Sequence, residues 1–351
     1  MGGCAVFHSE LQFDELAPGS CRREARPSYT HSKVYYSSLV VNFGPKVELL
    51  LGMLAADAPN CGSGEWRCEV SRSLVESWEY FRNVRWRNMP WNFKVTRKAG
   101  FAGSGGIVAM IRLRNEDLIL QDTLNHLGRF ADAIVVFDDA STDRSVEIAK
   151  QHPAVACVIE NRRWNHRNRP WEETSNRSKL LEMAESMNPD WYFYADADER
   201  FDGDVRAILM SQPAEINAVK MNLFDAYLSE GDSEPYERGT SLLNSRRKFG
   251  PERRQILVAW RGSCRARYRR VDTRAPEGVG GPFADNIHCQ HYGKGISTEQ
   301  WEATCDYYIA HFPEYAEKWR LRKGKAIHTT SDFGTPLYEW GEVAKHAIDI
   351  Q

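Results

Sequence analysis

The chain has 351 residues, 42% of them hydrophobic, which is enough for one large domain or two ordinary ones with their own cores. Its formal net charge of −2 excludes a global field that would draw it to nucleic acid or to an acidic membrane. Eight cysteines are scattered without zinc-ligand spacing and are too few for a disulfide framework at this length, so a reducing, cytoplasmic compartment is expected.

The N-terminus lacks the basic-then-apolar layout of a signal peptide. The longest apolar run near it, 49–56, is too short to cross a bilayer. No transmembrane segment is expected, and peripheral membrane contact stays open. Residues 1–104 show no clear alternation of strand and helix and are read as an N-terminal accessory region. Helices are expected at 46–56 and 70–81. Trp78, Tyr80, Phe81, Trp86, Trp91 and Phe93 make an aromatic-rich stretch. It either packs an accessory layer or offers a carbohydrate-stacking surface, and the packing reading is preferred. The glycine-rich segment 100–106 reads as a linker.

From Gly106 the pattern changes. The apolar run 107–111 predicts a buried strand. Asn115 can cap a helix whose Leu120, Thr123, Leu124 and Leu127 share one face. A second strand is predicted at 133–137. A helix started by Ser141 or Asp143 then runs through Val146 and Ala149. A third strand follows at 155–159. Ser175 opens a third helix with Leu180, Leu181, Ala184 and Met187, and a fourth strand occupies 191–195. Strand and helix alternate four times with short connections. The expected fold is therefore α/β, a mainly parallel sheet flanked by helices, with ligands at the carboxyl ends of the strands. A further strand is expected at 217–223. The basic stretch 246–274 follows, with ten arginines and extended segments at 256–260 and 264–271. Ser297-Thr-Glu-Gln300 has capping-box form and leads a helix halted at Pro313. The domain reading is 1–104 accessory, 105–295 catalytic and 296–351 a C-terminal helical extension packed on the catalytic domain.

Two acidic motifs stand just after predicted strands: Asp138-Asp139-Ala140-Ser141-Thr142-Asp143 and Asp196-Ala197-Asp198-Glu199. Neighbouring parallel strands would bring both to one sheet edge. Clustered carboxylates repel unless something offsets their charge. A divalent metal does so, and so does a ligand with several hydrogen-bond donors. Hard cations often combine one or two carboxylates with substrate phosphates, so the pair of motifs points to a site for metal plus diphosphate.

Residues 107 to about 200 resemble the family 2 glycosyltransferases of the GT-A fold, a Rossmann-like sheet. Met110-Ile-Arg-Leu-Arg-Asn-Glu116 is similar to the family's first strand and the turn after it. Phe137-Asp-Asp-Ala-Ser-Thr-Asp143 is similar to its nucleotide-binding motif, with Ala140 where glycine is usual. Tyr194-Ala-Asp-Ala-Asp-Glu199 resembles its DXD metal motif, and a looser likeness reaches His291-Tyr-Gly293. The resemblance implies an inverting transferase that moves a sugar, by default from a UDP-sugar, to a glycan or other hydroxyl acceptor, assisted by Mn2+ or Mg2+. It implies that Asp138 and Asp139 hold base and ribose, flanked by Arg112 and Glu116. Asp196 would contact ribose or metal, Asp198 would be the principal metal ligand, and His291 would add a late metal or phosphate contact, with His288 its rival.

Arg177 and Lys179, near the expected start of the third helix, suit a diphosphate. Arg162 and Arg163 are alternatives. The acceptor hydroxyl must lose a proton as it attacks, so a carboxylate should stand nearby. Asp225 is the first candidate for that base, Asp285 the second, and Glu252 a third. The arginines of 246–274 are read as a solvated edge before an anionic-acceptor site, and nucleic acid is not expected as a partner. Two rival functions are kept. A sugar nucleotidyltransferase would usually carry a glycine in the loop where this chain has Arg112-Leu-Arg-Asn115. A non-catalytic nucleotide- or glycan-binding module would need neither base nor metal.

Overall fold

A computed structural model gives the architecture and describes residues 90–350, apart from 102–104, 166–168 and 272. The helices expected at 46–56 and 70–81, and the aromatic residues before Trp91, lie outside the described residues. The strands are β1 (Phe93–Arg97), β2 (Ile107–Leu113), β3 (Ala133–Asp138), β4 (Val155–Asn161), β5 (Trp191–Ala195), β6 (Glu199–Asp202), β7 (Ala218–Tyr227), β8 (Lys248–Phe249), β9 (Glu252–Arg261), β10 (Phe283–Lys294) and β11 (Ile348–Asp349). The helices are α1 (Leu120–Leu127), α2 (Ser145–Gln151), α3 (Arg169–Glu185), α4 (Val205–Met210), α5 (Thr298–His311), α6 (Ala316–Arg322) and α7 (Trp340–Val343).

The sheet order is β1-β4-β3-β2-β5-β9-β7-β10-β6, with β8 paired to β7 and β11 to β9. The strands β4, β3, β2 and β5 are mutually parallel, as are β7 and β10, while β9 runs antiparallel to both β5 and β7. The parallel core is buried on both faces, which is why its strands read as near-continuous apolar runs. Ile107, Ala109, Ile111 and Leu113 of β2 face the side packed by Leu120, Leu124 and Leu127 of α1 and by Ile148 of α2. Val108 and Met110 face the other side, against Leu180, Leu181 and Ala184 of α3. Each such Leu or Ile stabilises the fold by about 1.5–3 kcal/mol through burial. The result is helices on both faces of a parallel core, with a mixed sheet continuing beyond β5.

Several boundaries differ from expectation. The first helix begins at Leu120 behind Ile119 and is not capped by Asn115, whose side chain accepts from the Thr142 amide instead. The sheet begins at β1, inside the stretch read as accessory, because Phe93–Arg97 pairs antiparallel with β4 and Phe93 packs edge-on against Phe137 at 5.7 Å. The helix expected to open at Ser175 starts at Arg169. The C-terminal part carries its own aromatic core, in which Tyr308 stacks on Trp319 at 4.4 Å. It also contributes the strand β11 to the side of β9, so it is not purely helical. Ser297 caps α5 as its sequence predicts, accepting from the Gln300 amide at 3.1 Å. No helix among the described residues is long and apolar enough to cross a membrane.

Candidate active site

The register brings the two acidic motifs to one edge. Leu113 of β2 lies beside Asp138 of β3, and Ile111 lies beside Ala195 of β5, so Asp138-Asp139 and Asp196 flank the end of β2 on either side. Arg112 sits between them, fully enclosed, 3.4 Å from Glu173 of α3 and in the field of Asp139 and Asp196. Those charges outweigh the burial cost and keep the guanidinium charged.

The loop after β3 is stitched to the loop after β2 by side chains that bond backbone. Asn115 Oδ1 accepts from the Thr142 amide at 2.7 Å, Ser141 Oγ from the Asn115 amide at 2.9 Å, Ser145 Oγ from the Glu116 amide at 2.8 Å and Asp143 Oδ2 from the Asp117 amide at 3.0 Å. Arg114 Nη1 donates to the Asp139 carbonyl at 2.6 Å and its guanidinium lies 4.3 Å from the Trp164 ring centroid. Ala140 has φ +58°, the left-handed conformation that glycine adopts without strain. Burial pushes Asp138 up to about 6, against hydrogen bonds from Ser141. Asp139 has no solvent exposure. Burial alone would raise its pKa, but Arg169 at 2.6 Å, Arg112 and the Asn161 amide at 2.9 Å hold it below the ordinary carboxylate range.

The second motif is gripped by Arg274. Its Nη1 donates to Asp196 Oδ2 at 2.8 Å and to Glu199 Oε1, and its Nη2 donates to Glu199 Oε2 at 2.7 Å. Burial raises the Glu199 carboxyl in spite of Arg274, and the charge of Asp196 adds to the rise. Asp198 faces elsewhere: its Oδ2 is 3.5 Å from His291 Nε2. The other ring nitrogen of His291, Nδ1, pairs with Asp225 Oδ1, and His291 and Asp225 are register partners on β10 and β7. Asp225 also accepts from Lys294 Nζ at 2.8 Å and from Arg254 Nη2 at 2.5 Å. Burial would raise Asp225, but Arg254, Lys294 and His291 hold it well below its usual value.

The other expected site residues divide. Glu116 is buried beside the first motif. Arg177 reaches Tyr194 Oη at 3.3 Å and Glu173 at 3.2 Å, so it joins the buried network. Lys179 does not: its Nζ pairs with Glu182 at 2.9 Å and lies 5.9 Å from the Phe93 ring centroid. Because α3 starts at Arg169, both cations stand more than two turns inside the helix, where its N-terminal field has faded. Arg162 and Arg163 are exposed after β4, and His288 lies on the opposite face of β10 from His291. Asp285 is exposed at the start of β10, roughly 20 Å along the strand from His291, and pairs with Gln255. Glu252 accepts from Ser331 Oγ at 2.6 Å and from Thr335, clasping the 331–335 loop. Of the three expected bases, only Asp225 stands in the cluster. Arg169, Arg274, Arg254 and Lys294 were not singled out by the sequence reading. Arg254 and Arg274 lay within the run read as a solvated edge; burial corrects that reading for Arg274 and for Arg246, which donates to the Gly295 carbonyl at 2.6 Å, and the ion pair with Asp225 corrects it for the half-buried Arg254.

Among the described residues no three acidic, histidine or cysteine side chains form a ready metal cage. Asp198 and His291 set a carboxylate beside an imidazole whose far nitrogen is fixed by Asp225.

Residues 109–272 match the model of glycosyl transferase family 2. This segment is a family 2 glycosyltransferase domain. Within the family 2 domain lie both acidic motifs and Asp225, while Arg274 and His291 follow it in sequence. Uncharacterized proteins of Mycobacterium bovis and Mycobacterium tuberculosis are each 39% identical to the chain over 117 residues, 32% of this chain and 28% of theirs. The chain thus spans little more than a quarter of the length of these curated relatives. Among solved structures, S. aureus TarS 1–349 is 13% identical with a TM-score of 0.33, covering 65% of this chain and 74% of that one. The mannosyltransferase PcManGT from Pyrobaculum calidifontis, in complex with GDP-Man and Mn2+, is 16% identical with a TM-score of 0.31, covering 72% and 73%. Likenesses this loose carry no weight beside the strand order and the family match.

Proposed function

We propose that this chain transfers a sugar from a nucleoside-diphosphate donor, by default a UDP-sugar, to a hydroxyl acceptor, with inversion at the anomeric carbon. One observation carries the reading: the two acidic motifs of a family 2 domain converge on one sheet edge together with His291. Asp138 and the backbone around Ala140 take the nucleoside side. Asp139 acts one layer below, fixing Arg169 and Asn161. Arg274 neutralises Asp196 and Glu199, which leaves Asp198 as the motif's carboxylate toward the diphosphate. A divalent ion, Mn2+ or Mg2+, held by Asp198 and His291 would offset the charge that builds on the departing diphosphate. Asp225, held ionised by Arg254 and Lys294, is a weak proton acceptor. In this reading it orients His291 through Nδ1, and the acceptor proton passes to solvent or to the departing diphosphate.

The test is thermal stabilisation by UDP, GDP, CDP and dTDP, each with and without Mn2+. Ligand that binds only the folded chain raises its unfolding temperature by mass action. A shift with one nucleotide that requires the ion supports the reading and names the donor class. No shift with any of them, or a shift indifferent to the ion, overturns it in favour of a binding module without metal chemistry.

A further inference from the structure

The segment after β9 carries a directed row of cations. Among the described residues, 264–271 have no regular strand partner beyond the bridge between Arg267 and Glu277, yet the side chains of 265–269 alternate as in a strand. Ala266 and Tyr268 are buried against the α3 side of the core, and Arg265, Arg267 and Arg269 are exposed, with Arg270 beside them. Extended backbone spaces alternate side chains by roughly 6.6–7 Å. The row climbs α3 towards the catalytic edge. Arg267 pairs with Glu185 at the carboxyl end of the helix at 2.5 Å. The Arg270 carbonyl accepts from Thr174, and the Thr273 carbonyl from Arg177, both nearer the helix start. Arg274, next along the chain, grips Asp196 and Glu199. The stretch of α3 from Glu185 back to Thr174 spans roughly 16 Å.

We propose that the acceptor is a linear chain bearing repeated anionic groups, phosphate above all, laid along Arg265, Arg267, Arg269 and Arg270 with its end at the Asp198–His291 edge. The proposal rests on the glycosyl-transfer reading and names its acceptor class. Arg265 and Arg269 have no ion-pair partner among the described residues, while the pairs that Arg267 and Arg270 make, with Glu185 and Glu277, are at the surface and exchange cheaply for another anion. The geometry favours a thread over a flat anionic surface. The cations follow one extended segment, and the exposed carboxylates of Glu182 and Glu185 lie on α3 beside it, where a bilayer of like charge would be repelled.

The experiment uses the full chain and labelled linear inorganic polyphosphate, with anionic phosphatidylglycerol vesicles and duplex DNA as comparison probes. The variant is Arg265→Gln/Arg269→Gln/Arg270→Gln. A control, Arg129→Gln/Arg144→Gln/Arg320→Gln, removes the same charge from exposed positions elsewhere. Polyphosphate affinity should fall about tenfold or more in the first variant and stay near wild type in the control, with a shallower salt dependence in the first alone. Polyphosphate binding that is absent, or equal in the two variants, overturns the proposal. Vesicles or DNA bound more tightly than polyphosphate through the same arginines overturn it in favour of a membrane or nucleic-acid face. The nucleotide-dependent thermal shift is read on the same variants. It should be unchanged, so a failure of the donor reading shows itself separately.

Discussion

Arg274 Nη1 stands 2.8 Å from Asp196 Oδ2, and the same guanidinium holds both carboxylate oxygens of Glu199. All three side chains are buried. The segment Asp196-Ala197-Asp198-Glu199 thus meets an internal cation, 78 residues beyond Asp196 in the chain. Removing one partner of a buried ion cluster leaves the rest uncompensated, which typically costs about 3–5 kcal/mol. Arg274→Gln should therefore lower unfolding stability by about that amount in urea titrations at neutral pH. A loss under about 1 kcal/mol would mean that Asp196 and Glu199 are held by other means.

Asp198 is placed differently from its neighbours. Its carboxylate faces His291, not Arg274. Asp198→Ala should keep the unfolding midpoint of the bare chain close to wild type and weaken Mn2+-dependent nucleotide binding about a hundredfold, ~2.7 kcal/mol. Calorimetric titration of nucleotide with and without Mn2+ checks it. Unaltered metal-dependent binding would move the ion to another pair of ligands.

Ala140 is held at φ +58° in the turn that follows Asp138-Asp139. A side chain there costs about 1–2 kcal/mol, while glycine costs about 0.4–1 kcal/mol through the freedom it adds to the unfolded chain. Ala140→Gly should raise stability by about 0.5–1 kcal/mol. A decrease would show that the methyl group makes packing contacts that outweigh the backbone strain.

Asp138 sets a pH dependence whose sign is fixed by its raised value. The folded pKa, about 6, exceeds the ordinary 3.8, so the folded state retains a proton that the unfolded state has released. The contribution is fully present below pH 4, is lost as pH rises through 6, and amounts to about 3 kcal/mol. Asp138→Asn can still accept from the Ser141 amide. It should match wild type near pH 4 and exceed it by up to about 3 kcal/mol at pH 7 to 8 in denaturant titrations. Burial lowers His126 to about 3, which destabilises both proteins equally as pH falls from 6.5, so the difference between them isolates Asp138. A difference that does not change with pH would place the Asp138 carboxylate in water.

The strands of the parallel core and the positions of its acidic turns were legible in the sequence itself. Strands buried on both faces must be apolar along their whole length, and the residues that follow them must turn and cap, so 107–111, 133–137, 155–159 and 191–195 declare themselves together with Asp138, Asp139, Asp196 and Asp198 at their ends. The first two turns of α3 stayed hidden because their buried face is polar. Arg169, Glu172, Glu173, Asn176 and Arg177 are enclosed, with Arg169 partnering Asp139 and Arg177 partnering Glu173 and Tyr194, and an apolar period registers none of them. Only the tertiary structure decided which charges belong to the site. An arginine or carboxylate reads the same in sequence whether solvated or buried. What separates Arg274 and Arg254 from Arg265 and Arg269 is the partner that the fold carries to them from a distant strand, and the water it excludes in doing so.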